Sequence, residues 1–163
     1  MTVRDHAIDR DALTLTFVAE FSAPVERVWQ VWADPRQLER WWGPPEWPAS
    51  FSRHELEPGG EMRYVMTGPD GETSAGWWRM TQVEAPHRLA FDDGFAGADG
   101  EPAPEMPVMV IEVNLGDTAD GGTRMTVTTT FPSLEALDEL AGMGMVEGMS
   151  SAMAQIDALL AAG

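Results

Sequence analysis

At 163 residues the chain is long enough for one sizeable hydrophobic core and suits a single domain. Its formal net charge of -17, from 27 acidic against 10 basic side chains, repels nucleic-acid phosphates and anionic membranes, so neither is expected as a partner. With no cysteine there is no disulfide framework and no thiol chemistry. No apolar run approaches membrane-spanning length, and the opening MTVRDHAIDRDA does not read as a signal peptide, so a cytoplasmic protein is expected.

Residues 1–10 are polar and read as a flexible N-terminus, leaving 11–163 as one domain. Leu13, Leu15, Phe17, Ala19 and Phe21 then alternate with more polar neighbours, which predicts a first strand with one buried face. After Pro24 a short helix carries Val25, Val28, Trp29 and Trp32 on one side. Asp34-Pro35 supplies an N-cap and a first helical residue for a second helix, which carries Leu38, Trp41 and Trp42 and stops at Gly43-Pro44-Pro45. A meander follows over 49–57, 61–67 and 72–84, turned at Pro58-Gly59-Gly60 and Gly68-Pro69-Asp70-Gly71. A short strand is predicted over 88–92 and a hairpin over 108–115 and 123–131. Between them, residues 95–105 (FAGADGEPAPE) are rich in Gly, Pro and acid and read as a long loop. Ser133 caps a short helix.

The chain ends in an expected long helix over 145–160, where Met145, Met149, Met153, Ile156 and Leu160 recur at helical spacing. A single apolar helix beside antiparallel strands buries its stripe only if the sheet wraps it. Methionine is flexible and polarizable, and suits either an irregular core or an adaptable binding surface.

This order, with PVERVW, LERWWGP, LEPGG, YVMTGPDG, PHRLAF and GMVEGMSSAMAQIDALL in these places, resembles the AHSA-type branch (activator of heat-shock protein 90 ATPase homologue) of the START-like, or SRPBCC, superfamily. That superfamily also includes the polyketide cyclases. The resemblance implies an α+β helix-grip (Bet v 1-like) fold. In it a seven-stranded antiparallel sheet wraps around a long C-terminal helix, two short helices follow strand 1, and an apolar cavity lies between sheet and helix.

Trp41, Met62, Tyr64, Met66, Trp78, Phe91, Met109, Met125, Met145, Met149 and Met153 are the candidates to line that cavity, with Phe95 and Met106 flanking the long loop as a gate. In the adjacent pair Trp77-Trp78 one ring must face inward and the other outward, where it needs a cover or a partner. Of the three histidines only His54 lies in a strand able to reach the interior. Glu112 and Glu147 are the carboxylates placed for acid–base work. No GxSxG elbow supports serine hydrolysis, and Gly142, Gly144 and Gly148 follow a helix, not the strand a nucleotide loop requires. No catalytic constellation, metal site or cofactor is expected. The expected function is to hold a small hydrophobic molecule, as monomer or homodimer. The alternatives are a cavity enzyme of the polyketide cyclase/aromatase type and a co-chaperone-like interaction domain.

Overall fold

The computed structural model describes residues 3–162. Eight strands form one antiparallel sheet: β1 (Val3–Asp9), β2 (Thr14–Phe21), β3 (Ala49–His54), β4 (Glu61–Thr67), β5 (Thr73–Glu84), β6 (Arg88–Ala96), β7 (Met109–Asp117) and β8 (Thr123–Thr130). Their order is β1-β2-β8-β7-β6-β5-β4-β3. Sequential pairing breaks after β2, where α1 (Val25–Ala33) and α2 (Pro35–Trp41) carry the chain to the far edge. The chain ends in α3 (Leu134–Gly142), α4 (Met145–Ala154) and α5 (Ile156–Ala162). Sheet and helices share one core, in an α+β helix-grip arrangement.

Local chemistry sets the helix boundaries. The Asp34 carboxylate accepts from the Arg36 N–H at 2.9 Å with Pro35 at the first helical position, so α2 starts where the Asp-Pro pair predicts. Ser133 Oγ likewise accepts from the Ala136 N–H at 3.1 Å and opens α3. Gly144, at φ 90°, takes the left-handed conformation that separates α3 from α4.

Three expectations need correction. Residues 3–9 are not a flexible tail but an eighth strand, paired with β2 in a register that sets His6 against Phe17. An edge strand is held by main-chain hydrogen bonds, so it needs no apolar face, and this one lacks the alternation that marks the others. The C-terminal helix is two helices, broken at Gln155. There the side-chain amide donates to the Gly43 carbonyl at 2.7 Å, tying the break to the end of α2. The Arg27 guanidinium also donates to the Leu159 carbonyl at 2.9 Å, so α5 is bound to α1. Finally, β6 runs past Asp92 to Ala96, pairing Gly94 with Trp77 and Phe95 with Gly76.

The core follows the sheet's alternation. Leu15, Phe17, Ala19 and Phe21 of β2 are buried, as are Met109, Ile111, Val113 and Leu115 of β7. On the stripe of the last helices Met153 and Ile156 are fully buried, whereas Met145, Met149 and Leu160 are only partly so.

Candidate functional site

The strand registers line up side chains across the concave face. Met62, Trp78, Asp93 and Met109 are successive cross-strand partners on β4, β5, β6 and β7. One layer on, Met80, Phe91 and Ile111 form a second row, and Tyr64, Gly76 and Phe95 form a third, toward the opposite strand ends. Asp93 is therefore a carboxylic acid in the middle of an apolar face, and its residue is only 8 % exposed.

Tyr64 reaches it from two strands away. Its phenol crosses the intervening strand at Gly76, and its hydroxyl donates to Asp93 Oδ1 at 3.4 Å. Burial raises the Asp93 pKa to about 7, partly offset by the Tyr64 hydroxyl and by the nearby Trp78 indole N–H, which does not complete a hydrogen bond. Burial, then the neighbouring Asp93 charge, pushes the Tyr64 phenol well above its usual range. Near neutral pH the carboxyl is thus close to half protonated, which gives it both donor and acceptor capacity.

Aromatic rings close over this pair. Trp78 stacks on Phe91 with centroids 4.1 Å apart, while Trp42 meets Trp78 edge-on at 4.7 Å and Tyr64 at 6.1 Å. Trp32 stands edge-on to Trp41 at 4.7 Å. The indole N–H groups of Trp32, Trp42 and Trp78 are buried without a hydrogen-bond partner in the protein. Those of Trp42 and Trp78 lie close enough to the Tyr64 hydroxyl to favour its ionised form, though neither completes a bond. Buried polar groups are normally satisfied, so unpaired donors gathered around one acid call for an explanation.

The predicted lining residues divide into two sets. Trp41, Met62, Trp78, Phe91, Met109, Met125 and Met153 are buried, and Tyr64, Met66, Met145 and Met149 form a partly buried margin. Trp41 donates its N–H to the Val31 carbonyl at 2.8 Å and holds α2 to α1, whereas its neighbour Trp42 joins the polar centre. Phe95 and Met106 line one open groove of about 360 Å³ with Thr73, Ser74 and Ala75. The loop behind them is knit together: Arg63 donates to the Gly100 carbonyl at 2.7 Å, and the Ala103 N–H donates to the Phe95 carbonyl at 2.9 Å.

Trp78 is the inward member of its pair. Trp77, on the outer face, is 8 % exposed: it lies against Gly94, under the Arg79 guanidinium, and donates to the Phe95 carbonyl at 3.1 Å. Its cover is intramolecular. His54 lies 3.2 Å from the Trp32 carbonyl through Nε2. Glu112 pairs with Arg88 at 3.0 Å and Glu147 is exposed on α4, so neither meets the interior acid. Among the described residues no group of three or more His, Asp or Glu side chains converges as a metal site. Asp93 lies one residue past the strand that the sequence predicts over 88–92. Continuing the alternation of Leu89 and Phe91 by one step puts it inside.

Sheet, gripped helices and buried aromatic centre together define a Bet v 1-like α+β domain. The family model described as Activator of Hsp90 ATPase homolog 1-like protein matches residues 22–161, and the chain belongs to this family. A crystal structure of a Mycobacterium smegmatis protein is 52% identical, covers 97% of this chain and 96% of its own, and superposes with a TM-score of 0.89. A solution structure from Arthrobacter aurescens is 51% identical over 99% of this chain and 94% of its own, with a TM-score of 0.94. The AHSA1 protein of Silicibacter pomeroyi, 20% identical over 91% of this chain and 97% of its own with a TM-score of 0.73, shares the fold. No curated protein matches the chain. Among the described residues no helix is long and apolar enough to cross a membrane.

Proposed function

We propose that this domain holds a small, largely apolar molecule between the sheet and the C-terminal helices, as a cytoplasmic binding protein. The observation that carries this reading is the margin of the core. Met145, Val146 and Met149 of α4 are only half-buried, yet they pack against a core cluster that contains the buried Met62, Trp78, Phe91 and Met109 of the sheet. The flexible, incompletely buried thioethers of Met145 and Met149 repack around a guest at low cost, which branched side chains do not. The aromatic rings below are in mutual contact, so entry requires α4 to lift and the methionines to change rotamer. Phe95 and Met106 serve as the gate beside the opening, and trimming the loop they flank accelerates release.

The test is native mass spectrometry of the protein taken from its own cells, together with thermal shifts across a panel of fatty acids and aromatic polyketides. A one-to-one adduct and a raised Tm support the reading. An empty protein that responds to no member of the panel overturns it.

One observation favours a second reading. Asp93 is an acid with a pKa of about 7 held inside the aromatic centre, a value suited to general acid–base chemistry on a bound substrate. A cyclase-type enzyme of this kind loses turnover in Asp93→Asn while keeping substrate affinity, and equal turnover in the variant removes the reading.

A further inference from the structure

We propose that the concave face carries a subsite for one hydrogen-bond-accepting oxygen of the guest, a carbonyl borne on an aromatic or alicyclic skeleton, formed by the indole N–H groups of Trp42 and Trp78 beside the Tyr64–Asp93 pair. The inference rests on the ligand-binding reading and names the chemistry of the guest's polar end.

The centre holds buried donors that complete no hydrogen bond within the protein. Tyr64 already donates to Asp93, while Trp42, Trp78 and the adjacent Trp32 keep buried N–H groups with no acceptor in the protein. An indole offers only a donor, so each of these groups is matched by an oxygen with a lone pair and not by another donor. A buried unpaired donor costs on the order of 1–3 kcal/mol. A guest that brings an acceptor recovers part of this, whereas a pure hydrocarbon recovers none.

Ring geometry separates this from the other chemistry that an aromatic box with an acid suggests, a bound cation. Cation recognition uses ring faces. Here one face of Trp78 is taken by Phe91 in a stack at 4.1 Å, and Trp42 packs edge-on against both Trp78 and Tyr64. One face of Trp78 is occupied while the Trp42 and Trp78 N–H groups are left over, which points to an acceptor. Flat skeletons fit the same surroundings, because Met62, Phe91 and Met109 border the polar centre with carbon and sulfur alone.

The experiment is equilibrium dialysis of the full chain against naphthalene, 2-acetylnaphthalene and 2-(aminomethyl)naphthalene, repeated with Trp42→Phe and Trp78→Phe. The expected result is 2-acetylnaphthalene bound at least about tenfold more tightly than naphthalene, with the preference reduced several-fold in either variant and naphthalene affinity kept. The within-protein ratio of the two affinities reads the subsite, so a uniform weakening from altered folding leaves it unchanged. The wild-type comparison also stands without either variant. Equal binding of naphthalene and 2-acetylnaphthalene overturns the acceptor subsite while leaving the binding reading intact. Tighter binding of the ammonium compound assigns the centre to a cation on Asp93. Retention of none of the three overturns both.

Discussion

Tyr64 lies across Gly76, and the position tolerates it only because glycine has no side chain: a methyl group at 76 would overlap the Cζ and Oη atoms of the phenol. A strand glycine of this kind marks a close approach rather than a weakness in the sheet. Gly76→Ala is therefore expected to push the phenol off Asp93 and to cost about 1–3 kcal/mol, the usual range for overpacking. Tyr64 is the sole tyrosine, so alkaline absorbance titration reads it alone. In the wild type it should resist ionisation until the fold gives way, and in the alanine variant it should ionise closer to the ordinary phenol range. Matching titrations would show that the ring has another place to rest.

Asp93 makes stability depend on pH in a direction opposite to most carboxylates. Its folded pKa of about 7 lies above the unfolded value of about 3.9, so the native state holds the proton more tightly. The contribution is whole below about pH 4, is lost as pH rises toward about 7, and is level above that, with a total of up to about 4 kcal/mol. Asp34 and Glu61 have lowered pKa values, from Gln37 and Arg63 hydrogen bonding respectively, and lose stability in acid instead. Comparison with Asp93→Asn cancels them. In urea unfolding, the stability of the wild type relative to the Asn variant should fall between about pH 4 and pH 7 and then flatten. A constant difference across that window contradicts a desolvated, titrating acid.

Met153 and Met149 occupy consecutive turns of one stripe but should respond differently. Met153 is fully buried, so Met153→Ala is expected to cost about 2–4 kcal/mol through lost transfer energy and the void left behind. Met149 is half-buried at the margin of α4, and Met149→Ala should cost less than about 1 kcal/mol while weakening ligand uptake. Chemical denaturation of both variants checks the contrast, and equal costs would mean that α4 is packed as firmly as the core.

Much of this was legible where one period dominates. The alternation of Leu15, Phe17, Ala19 and Phe21 predicts β2, and spacing alone puts Met62, Tyr64 and Met66 on one face of β4. Asp34-Pro35 and Ser133 marked helix starts because capping is local chemistry. What failed depended on partners distant in sequence. β1 is defined by main-chain pairing to β2 and has no pattern of its own. The break at Gln155 meets a carbonyl 112 residues earlier. Trp77 is covered by the chain because Gly94 provides a flat place for its ring, which no property of the Trp-Trp dipeptide reveals. Asp93 falls one residue beyond the strand predicted over 88–92, although the alternation of Leu89 and Phe91 fixes its direction.

The central claim is that a guest's oxygen meets the indole N–H groups of the interior. The most direct measurement is the nitrogen–proton correlation spectrum of the seven tryptophan side chains, recorded with and without saturating 2-acetylnaphthalene. The Trp42 and Trp78 indole signals are expected to move markedly downfield as their N–H groups gain an acceptor. Those of Trp41 and Trp77, already bonded to the Val31 and Phe95 carbonyls, should stay nearly still. Unmoved Trp42 and Trp78 signals under saturation, or shifts confined to Trp77 on the outer face, would contradict it.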